Sequence, residues 1–110
     1  MQFDRDFREL LACLAVHDVR YLVVGGYAVA AHGHPRYTGD LDLWVWTAAE
    51  NAQSLLTSID GVEFQACFDR RVEITVDGAQ VPFIALEDLR RNKAASGRPQ
   101  DLADLAALDE

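Results

Sequence analysis

Tyr21–Val45, YLVVGGYAVAAHGHPRYTGDLDLWV, is the stretch that decides the fold of this chain. It predicts an apolar strand, a Gly-Gly turn, a short helix of small residues, a polar loop and a second strand. Because strand side chains alternate, Asp40 and Asp42 are expected on the same side of that second strand. Two neighbouring carboxylates repel each other, and hard divalent cations prefer oxygen ligands. The spacing therefore predicts a metal site at Asp40 and Asp42, with a solvated strand end as the alternative.

The pair Gly25-Gly26 is predicted to open the short helix, interpreted as residues 26–33. The first N–H groups of a helix and the positive end of its dipole suit a phosphate. The alternative is a plain tight turn that lets the helix pack close to the sheet. A phosphate-binding turn beside a pair of metal-binding carboxylates indicates phosphoryl or nucleotidyl transfer.

Size and charge exclude several classes of protein. The 110 residues suffice for a single domain, 1–110, and no apolar run approaches the roughly 20 residues that a membrane span needs. A charged, amphipathic N-terminus without a signal-peptide pattern predicts a cytoplasmic protein. The formal net charge of −8 argues against general nucleic-acid binding. Cys13 and Cys67 have no metal-type spacing and are predicted to be buried free thiols.

The remaining pattern predicts α/β or α+β architecture, with a small mixed β-sheet flanked by helices. Strand 40–46 is expected to turn Leu41, Leu43 and Val45 towards the core. The 47–53 link is too short for a parallel crossover to a strand at 54–59, so these strands pair antiparallel, do not pair as neighbours, or pair between two chains. The other expected elements are helices at 3–17, 62–69, 86–95 and from Pro99 onwards, and strands at 21–24, 71–76 and 80–84. Asp77-Gly78 predicts a hairpin turn between the last two strands, and Gly97 and Pro99 are expected to end the 86–95 helix. The apolar stripe of the first helix is Phe3, Phe7, Leu10, Leu11 and Leu14, and that of the last is Leu102, Leu105 and Leu108.

Several side chains allow two interpretations. Trp44 and Trp46 either stack on a base or pack under a helix or at a dimer contact. His32 and His34 either bind a metal or have a surface or capping role. Lys93 and Arg98 either bind phosphate or pair with Asp101 and Asp104.

Gly25-Gly26, a short helix and then Arg36-x-Thr38-x-Asp40-x-Asp42 resemble the nucleotidyltransferase superfamily that shares the DNA polymerase beta catalytic fold. The similarity is to its small prokaryotic branches, the minimal and abortive-infection types. The tail from Asn92 to Leu105, NKAASGRPQDLADL, and the run from Leu55 to Phe64 also look like these proteins. The resemblance covers most of residues 20–108.

The resemblance implies a nucleotidyltransferase that moves a nucleoside monophosphate from a nucleoside triphosphate, ATP above all, to an unknown acceptor. Asp40 and Asp42 would be catalytic and would hold Mg²⁺ or Mn²⁺. The residues implied to contact the nucleotide are Gly25, Gly26, Arg36, Thr38 and Lys93.

One departure from the family is the expected third carboxylate, whose position falls on Ser54, after Gln53. The family's crossover helix is also missing from the pattern, so the middle of the chain is shortened. Candidate replacements for the carboxylate are Glu73, Asp101 and Glu63. An alternative function is therefore an inactive relative that binds nucleotide or a partner protein, as in toxin–antitoxin-like pairs, or a structural dimer with a vestigial site. An uncovered sheet edge or apolar face after this shortening predicts a homodimer, with exchanged elements as one form.

Overall fold

The computed structural model describes residues 3–34, 39–46, 58–59 and 62–109. These residues form a mixed α+β fold, which confirms the predicted class. The helices are α1 (Arg5–Val16), α2 (Gly25–Ala31), α3 (Phe64–Asp69), α4 (Leu86–Ser96) and α5 (Pro99–Leu108). The strands are β1 (Tyr21–Val24), β2 (Asp42–Val45), β3 (Ser58–Ile59), β4 (Val62–Glu63), β5 (Val72–Val76) and β6 (Ala79–Phe83).

Four strands form the predicted small mixed sheet, in the order β2-β1-β6-β5. β1 runs parallel to β6, whereas β2 and β5 are antiparallel to their neighbours. In the described part of the predicted 54–59 strand, β3 pairs with β4 in a separate two-stranded sheet and not with β2. The 47–53 link and Ser54 lie outside the described residues.

Local signals set several element boundaries. The Asp4 side chain caps α1 by accepting a 3.0 Å hydrogen bond from the Phe7 N–H. The predicted hairpin turn has positive φ at both central residues, +51° at Asp77 and +83° at Gly78, the pattern of a two-residue turn between twisted strands. Gly97, at φ +66°, ends α4 in the left-handed conformation that glycine adopts readily.

The core corrects the predicted inward face of β2. Trp44 is only 6% exposed and packs edge-on against Phe64 of α3, with ring centroids 5.1 Å apart. Trp46 also packs on Phe64, at 5.3 Å, so both tryptophans lie under a helix, one of the two interpretations above. Leu41 and Leu43 are half-buried as expected, but Val45 is exposed. The prediction for Val45 is wrong because α3 covers the Trp44 side of the strand.

Two apolar stripes are also narrower than predicted. Leu10 of α1 and Leu102 of α5 are exposed. On α5 the buried residues are Asp101, Asp104 and Leu108. The two aspartates are buried because they form ion pairs with Lys93 of α4. Residues 62–63, predicted as helix, form β4, and α3 begins at Phe64.

The two cysteines differ in environment. Cys67 is fully buried as predicted, whereas Cys13 is exposed on α1 and that prediction is wrong. Burial, assisted by the negative charge of Asp88, raises the pKa of the Cys67 thiol to about 11. Cys67 is therefore an inert core residue at neutral pH. Among the described residues, no helix combines the length and the apolar character required to cross a bilayer.

Candidate functional site

Gly25 and Asp42 meet where β1 ends and β2 begins. Asp42 lies opposite Val24 in the antiparallel ladder, so its side chain is next to the turn that follows β1. Gly25 has φ +67°, and a Cβ there would overlap the Asp42 Oδ2 atom and lie 3.1 Å from the Asp42 Cγ. Only glycine combines this backbone conformation with the space that the carboxylate occupies. The predicted metal ligand and the predicted phosphate turn are thus in contact.

α2 begins at Gly25, one residue earlier than predicted, and Gly26 is buried at its first turn. Val24 occupies the N-cap position and makes no side-chain capping hydrogen bond. The helix has only 7 residues, so its dipole adds little to the potential at this end. Contact of Gly26 with a phosphate stays a prediction.

A polar cavity of about 280 Å³ opens beside this contact. Val24, Gly25 and Asp42 line one side of it. The C-terminal half of α4 and the residues after it line the other, with Asn92, Lys93, Ser96 and Arg98. The fold therefore brings together three of the predicted site residues, Gly25, Asp42 and Lys93, which are up to 68 positions apart in the sequence.

Two other predicted site residues that the structure describes, Gly26 and Asp40, do not line the cavity. Arg36 and Thr38 lie outside the described residues. Asp40 is exposed and precedes β2, separated from Asp42 by the half-buried Leu41. Asn92 and Ser96 were not predicted as site residues, although their i, i+4 spacing places them on the same face of α4.

Lys93 is buried in an ion-pair cluster on the α4–α5 hairpin. Its side chain is 7% exposed, and its Nζ lies 3.1 Å from Asp101 Oδ1 and 3.0 Å from Asp104 Oδ2. Arg98 Nε and Ser96 Oγ each donate a 2.6 Å hydrogen bond to Asp101 Oδ2. The predicted pairing is confirmed for Lys93 with both aspartates and for Arg98 with Asp101, whereas contact of Lys93 with a nucleotide stays a prediction.

The Lys93 cluster contains two cations and two carboxylates, so its formal charge is zero. The Arg98 side chain is 76% exposed at the edge of the cavity. With Asp42 on the opposite wall, the formal charges of Asp42 and the Lys93 cluster sum to −1. A polyanion such as a triphosphate would need a cation to enter the cavity.

Stability at acid pH is expected to depend on Asp101. Its hydrogen bond from Arg98, followed by those from Ser96 and Lys93, holds the pKa of this carboxyl well below its usual value, against the opposing effect of burial. The unfolded chain then binds more protons than the folded one near the ordinary aspartate pKa of about 3.9, so stability contributed by Asp101 is present above that pH and is lost as pH falls from about 5. Urea denaturation at several pH values between 3 and 6 measures how the free energy of unfolding changes with pH. This change should be smaller for Asp101→Asn than for the unmodified protein.

The exposed Asp6 provides the control for this prediction, since Asp6→Asn removes a carboxylate without touching the cluster. The Asp6→Asn variant should show the same change of unfolding free energy with pH as the unmodified protein. An equal change with pH in the unmodified protein and Asp101→Asn would contradict the role of Asp101 in stability at acid pH.

The donor set at Asp40 and Asp42 is smaller than the resemblance implies. Within the described part of the chain, no three His, Cys, Asp or Glu side chains are grouped so that they could hold a metal ion. The three candidate replacements have other partners: Glu63 caps α3, Glu73 pairs with Arg71, and Asp101 holds Lys93. Mg²⁺ is commonly bound by one or two carboxylates, several waters and substrate phosphates, so a third carboxylate is not required to hold one Mg²⁺ delivered with a nucleotide.

Two further clusters have structural roles. His32 ends α2, and its Nε2 lies 2.9 Å from the Ile84 carbonyl oxygen, which ties α2 to the end of β6 and matches the predicted capping role. Asp88 of α4 is fully buried and accepts hydrogen bonds from Arg70 and Arg91. The Arg70–Asp88 pair joins the end of α3 to α4 and so fixes the helix that carries Asn92, Lys93 and Ser96.

Comparison of the chain with protein-family models and with curated proteins gave no match.

Proposed function

We propose that this chain is a Mg²⁺-dependent nucleotidyltransferase that transfers a nucleoside monophosphate from a nucleoside triphosphate to an acceptor. The observation that carries the proposal is the contact between the Gly25 turn and the Asp42 carboxylate at the mouth of a polar cavity. The resemblance to the DNA polymerase beta-like superfamily, based on Gly25-Gly26 and the Asp40-x-Asp42 spacing, supplies the type of reaction. ATP is the proposed donor nucleotide.

The cavity volume indicates which part of the nucleotide enters. About 280 Å³ lies just below the 300–1,000 Å³ typical of ligand pockets. The cavity therefore suits the phosphate chain better than a whole nucleotide, with the base outside it. On the facing wall, the exposed guanidinium of Arg98 provides N–H donors that a phosphate can accept from.

Each described residue has a specific part in this proposal. Asp42, assisted by Asp40, would hold Mg²⁺ against the phosphates. A bound Mg²⁺ would neutralise charge on the transferred group and align the attacking and leaving oxygens. A phosphate in the cavity would compete with Asp101 for the exposed Arg98 guanidinium, while buried Lys93 would keep Asp101 and Asp104 in place.

Asp42→Asn tests the proposal most directly. Titration calorimetry of the unmodified protein should detect ATP binding in Mg²⁺ and little in EDTA, because Asp42 repels an uncompensated triphosphate. The substitution should weaken the Mg²⁺-dependent binding, and reduce transfer of α-³²P label to the acceptor, by about 100-fold or more. The control is Glu9→Gln on the exposed face of α1, which should leave both unchanged. Equal Mg²⁺-dependent binding by the unmodified protein and Asp42→Asn would refute the assigned role of Asp42.

A second candidate function is nucleotide binding without turnover, in which the protein acts through a partner protein. The absence of a three-residue acidic group among the described residues favours it, since one Mg²⁺ on two carboxylates can hold a triphosphate without activating an acceptor. The two functions separate in the same experiments. Mg²⁺-dependent ATP binding with no label transfer to protein, RNA or small-molecule acceptors supports the second. A cytoplasmic location belongs to both proposals, because both require ATP and Mg²⁺.

A further inference from the structure

The outer edge of β5 is an exposed strand edge. β5 ends the order β2-β1-β6-β5, and no strand in the described part of the chain lies beyond it. Val72 is 39% exposed, and Glu73 and Thr75 are also exposed. An edge strand of this kind presents backbone groups that another strand can pair with.

The register of the hairpin shows which backbone groups point outwards. Glu73 lies opposite Pro82, which has no N–H, so this pair cannot exchange two hydrogen bonds. Since hydrogen-bonded and non-hydrogen-bonded pairs alternate along an antiparallel ladder, Val72, Ile74 and Val76 bond to β6. The N–H and C=O groups of Glu73 and Thr75 therefore point away from β6, towards the open edge.

Two-fold pairing of two β5 strands must join these outward-facing residues, and charge and strand length decide among the registers. Placing Glu73 opposite the partner's Glu73 sets like charges against each other. Placing Thr75 opposite the partner's Thr75 leaves Val72 and Glu73 with no β5 residue opposite them. Placing Glu73 opposite the partner's Thr75 avoids the like-charge contact and pairs all five residues of β5, which favours this register.

We propose that two copies of this chain form a homodimer by antiparallel pairing of their β5 strands in this register, with Ile74 on the two-fold axis. The interface is isologous, and the sheet becomes continuous, with four strands from each copy. Val72 packs beside the partner's Val76 and so continues the apolar face that lies under α1.

Opposite charges at residue 75 test the register, because Thr75 is exposed and both substitutions leave the β5–β6 ladder intact. Thr75→Lys sets a cation against the partner's Glu73 twice per dimer and should tighten the dimer by about two- to thirtyfold. Thr75→Glu sets two like-charged pairs together and should weaken it by a similar factor. Analytical ultracentrifugation measures the dissociation constants, and circular dichroism verifies the fold of each variant. A monomeric Thr75→Lys at millimolar concentration, or equal constants for the two variants, would overturn the proposal.

Disulfide cross-linking gives an independent test. The variants also carry Cys13→Ser, which removes the exposed cysteine, whereas Cys67 is buried and can stay. Residues directly opposite in a non-hydrogen-bonded pair have Cα atoms about 4.5 Å apart, within disulfide range. Ile74→Cys should therefore form a covalent dimer on mild oxidation. Thr75→Cys should not, because this register places the Cα atoms of residue 75 in the two copies about 8 Å apart, too far for a disulfide. Cross-linking through residue 75 but not 74, which would indicate another register or another partner surface, contradicts the proposal.

Discussion

Replacing Lys93 by methionine is expected to lower the free energy of unfolding by about 3–5 kcal/mol. The substitution keeps most of the side-chain volume but removes the ammonium that lies within 3.1 Å of Asp101 and 3.0 Å of Asp104. Both carboxylates are buried in a medium that solvates them poorly, and both would lose their contact with this ammonium, although Asp101 keeps Arg98. Urea denaturation at pH 7 measures the change. The dependence of the unfolding free energy on urea concentration should be the same in the variant and the unmodified protein.

Arg98→Met is the matched control, because Arg98 contacts the same Asp101 from an exposed position. Its cost should be smaller, about 1 kcal/mol or less, since water screens an exposed ion pair. Asp104→Leu combined with Lys93→Met should recover part of the loss, because Asp101 keeps Arg98 and Ser96 as partners. Equal costs for Lys93→Met and Arg98→Met would show that burial of Lys93 does not set its contribution.

Gly25→Ala is expected to have the second largest effect, on stability and on the candidate site together. The left-handed backbone conformation at φ +67° costs a residue with a side chain about 1–2 kcal/mol. Overlap of the new methyl group with the Asp42 carboxylate adds about 1–3 kcal/mol. If Asp42 rotates away instead, the stability loss is smaller but Mg²⁺-dependent ATP binding is lost, so thermal denaturation and calorimetry are measured on the same variant.

Gly97→Ala separates the two contributions. Gly97 has nearly the same φ, +66°, and a Cβ there would meet only the Ala94 carbonyl oxygen at an ordinary 3.8 Å. It should therefore show the conformational cost alone. A loss of stability in Gly25→Ala no larger than in Gly97→Ala, with Mg²⁺-dependent ATP binding unchanged, would mean that the Gly25–Asp42 contact is not tight in solution.

Prediction from sequence succeeded where chemistry is local. Turn residues gave the Asp77-Gly78 hairpin, and Gly97 and Pro99 separated α4 from α5, because positive φ and a missing N–H act within a few residues. It failed where a distant element covers a surface. Val45 was expected inside and Leu102 buried, but α3 covers the opposite side of β2, and Asp101 and Asp104 occupy the inner face of α5. Apolar periodicity does not anticipate carboxylates that are buried because a lysine neutralises them.

The sequence by itself determined the mixed α+β class, the elements around Gly25 and Asp42, and the pairing options of Lys93, because alternation, turn chemistry and charge are properties of short segments. Only the tertiary structure decided that Gly25 touches Asp42 and that Asn92, Lys93, Ser96 and Arg98 face them across one cavity. These contacts join segments that are 17 and at least 50 residues apart in the chain, through the β1–β2 register and the placement of α4. Such contacts depend on which surfaces pack together, and that is a property of the whole folded chain.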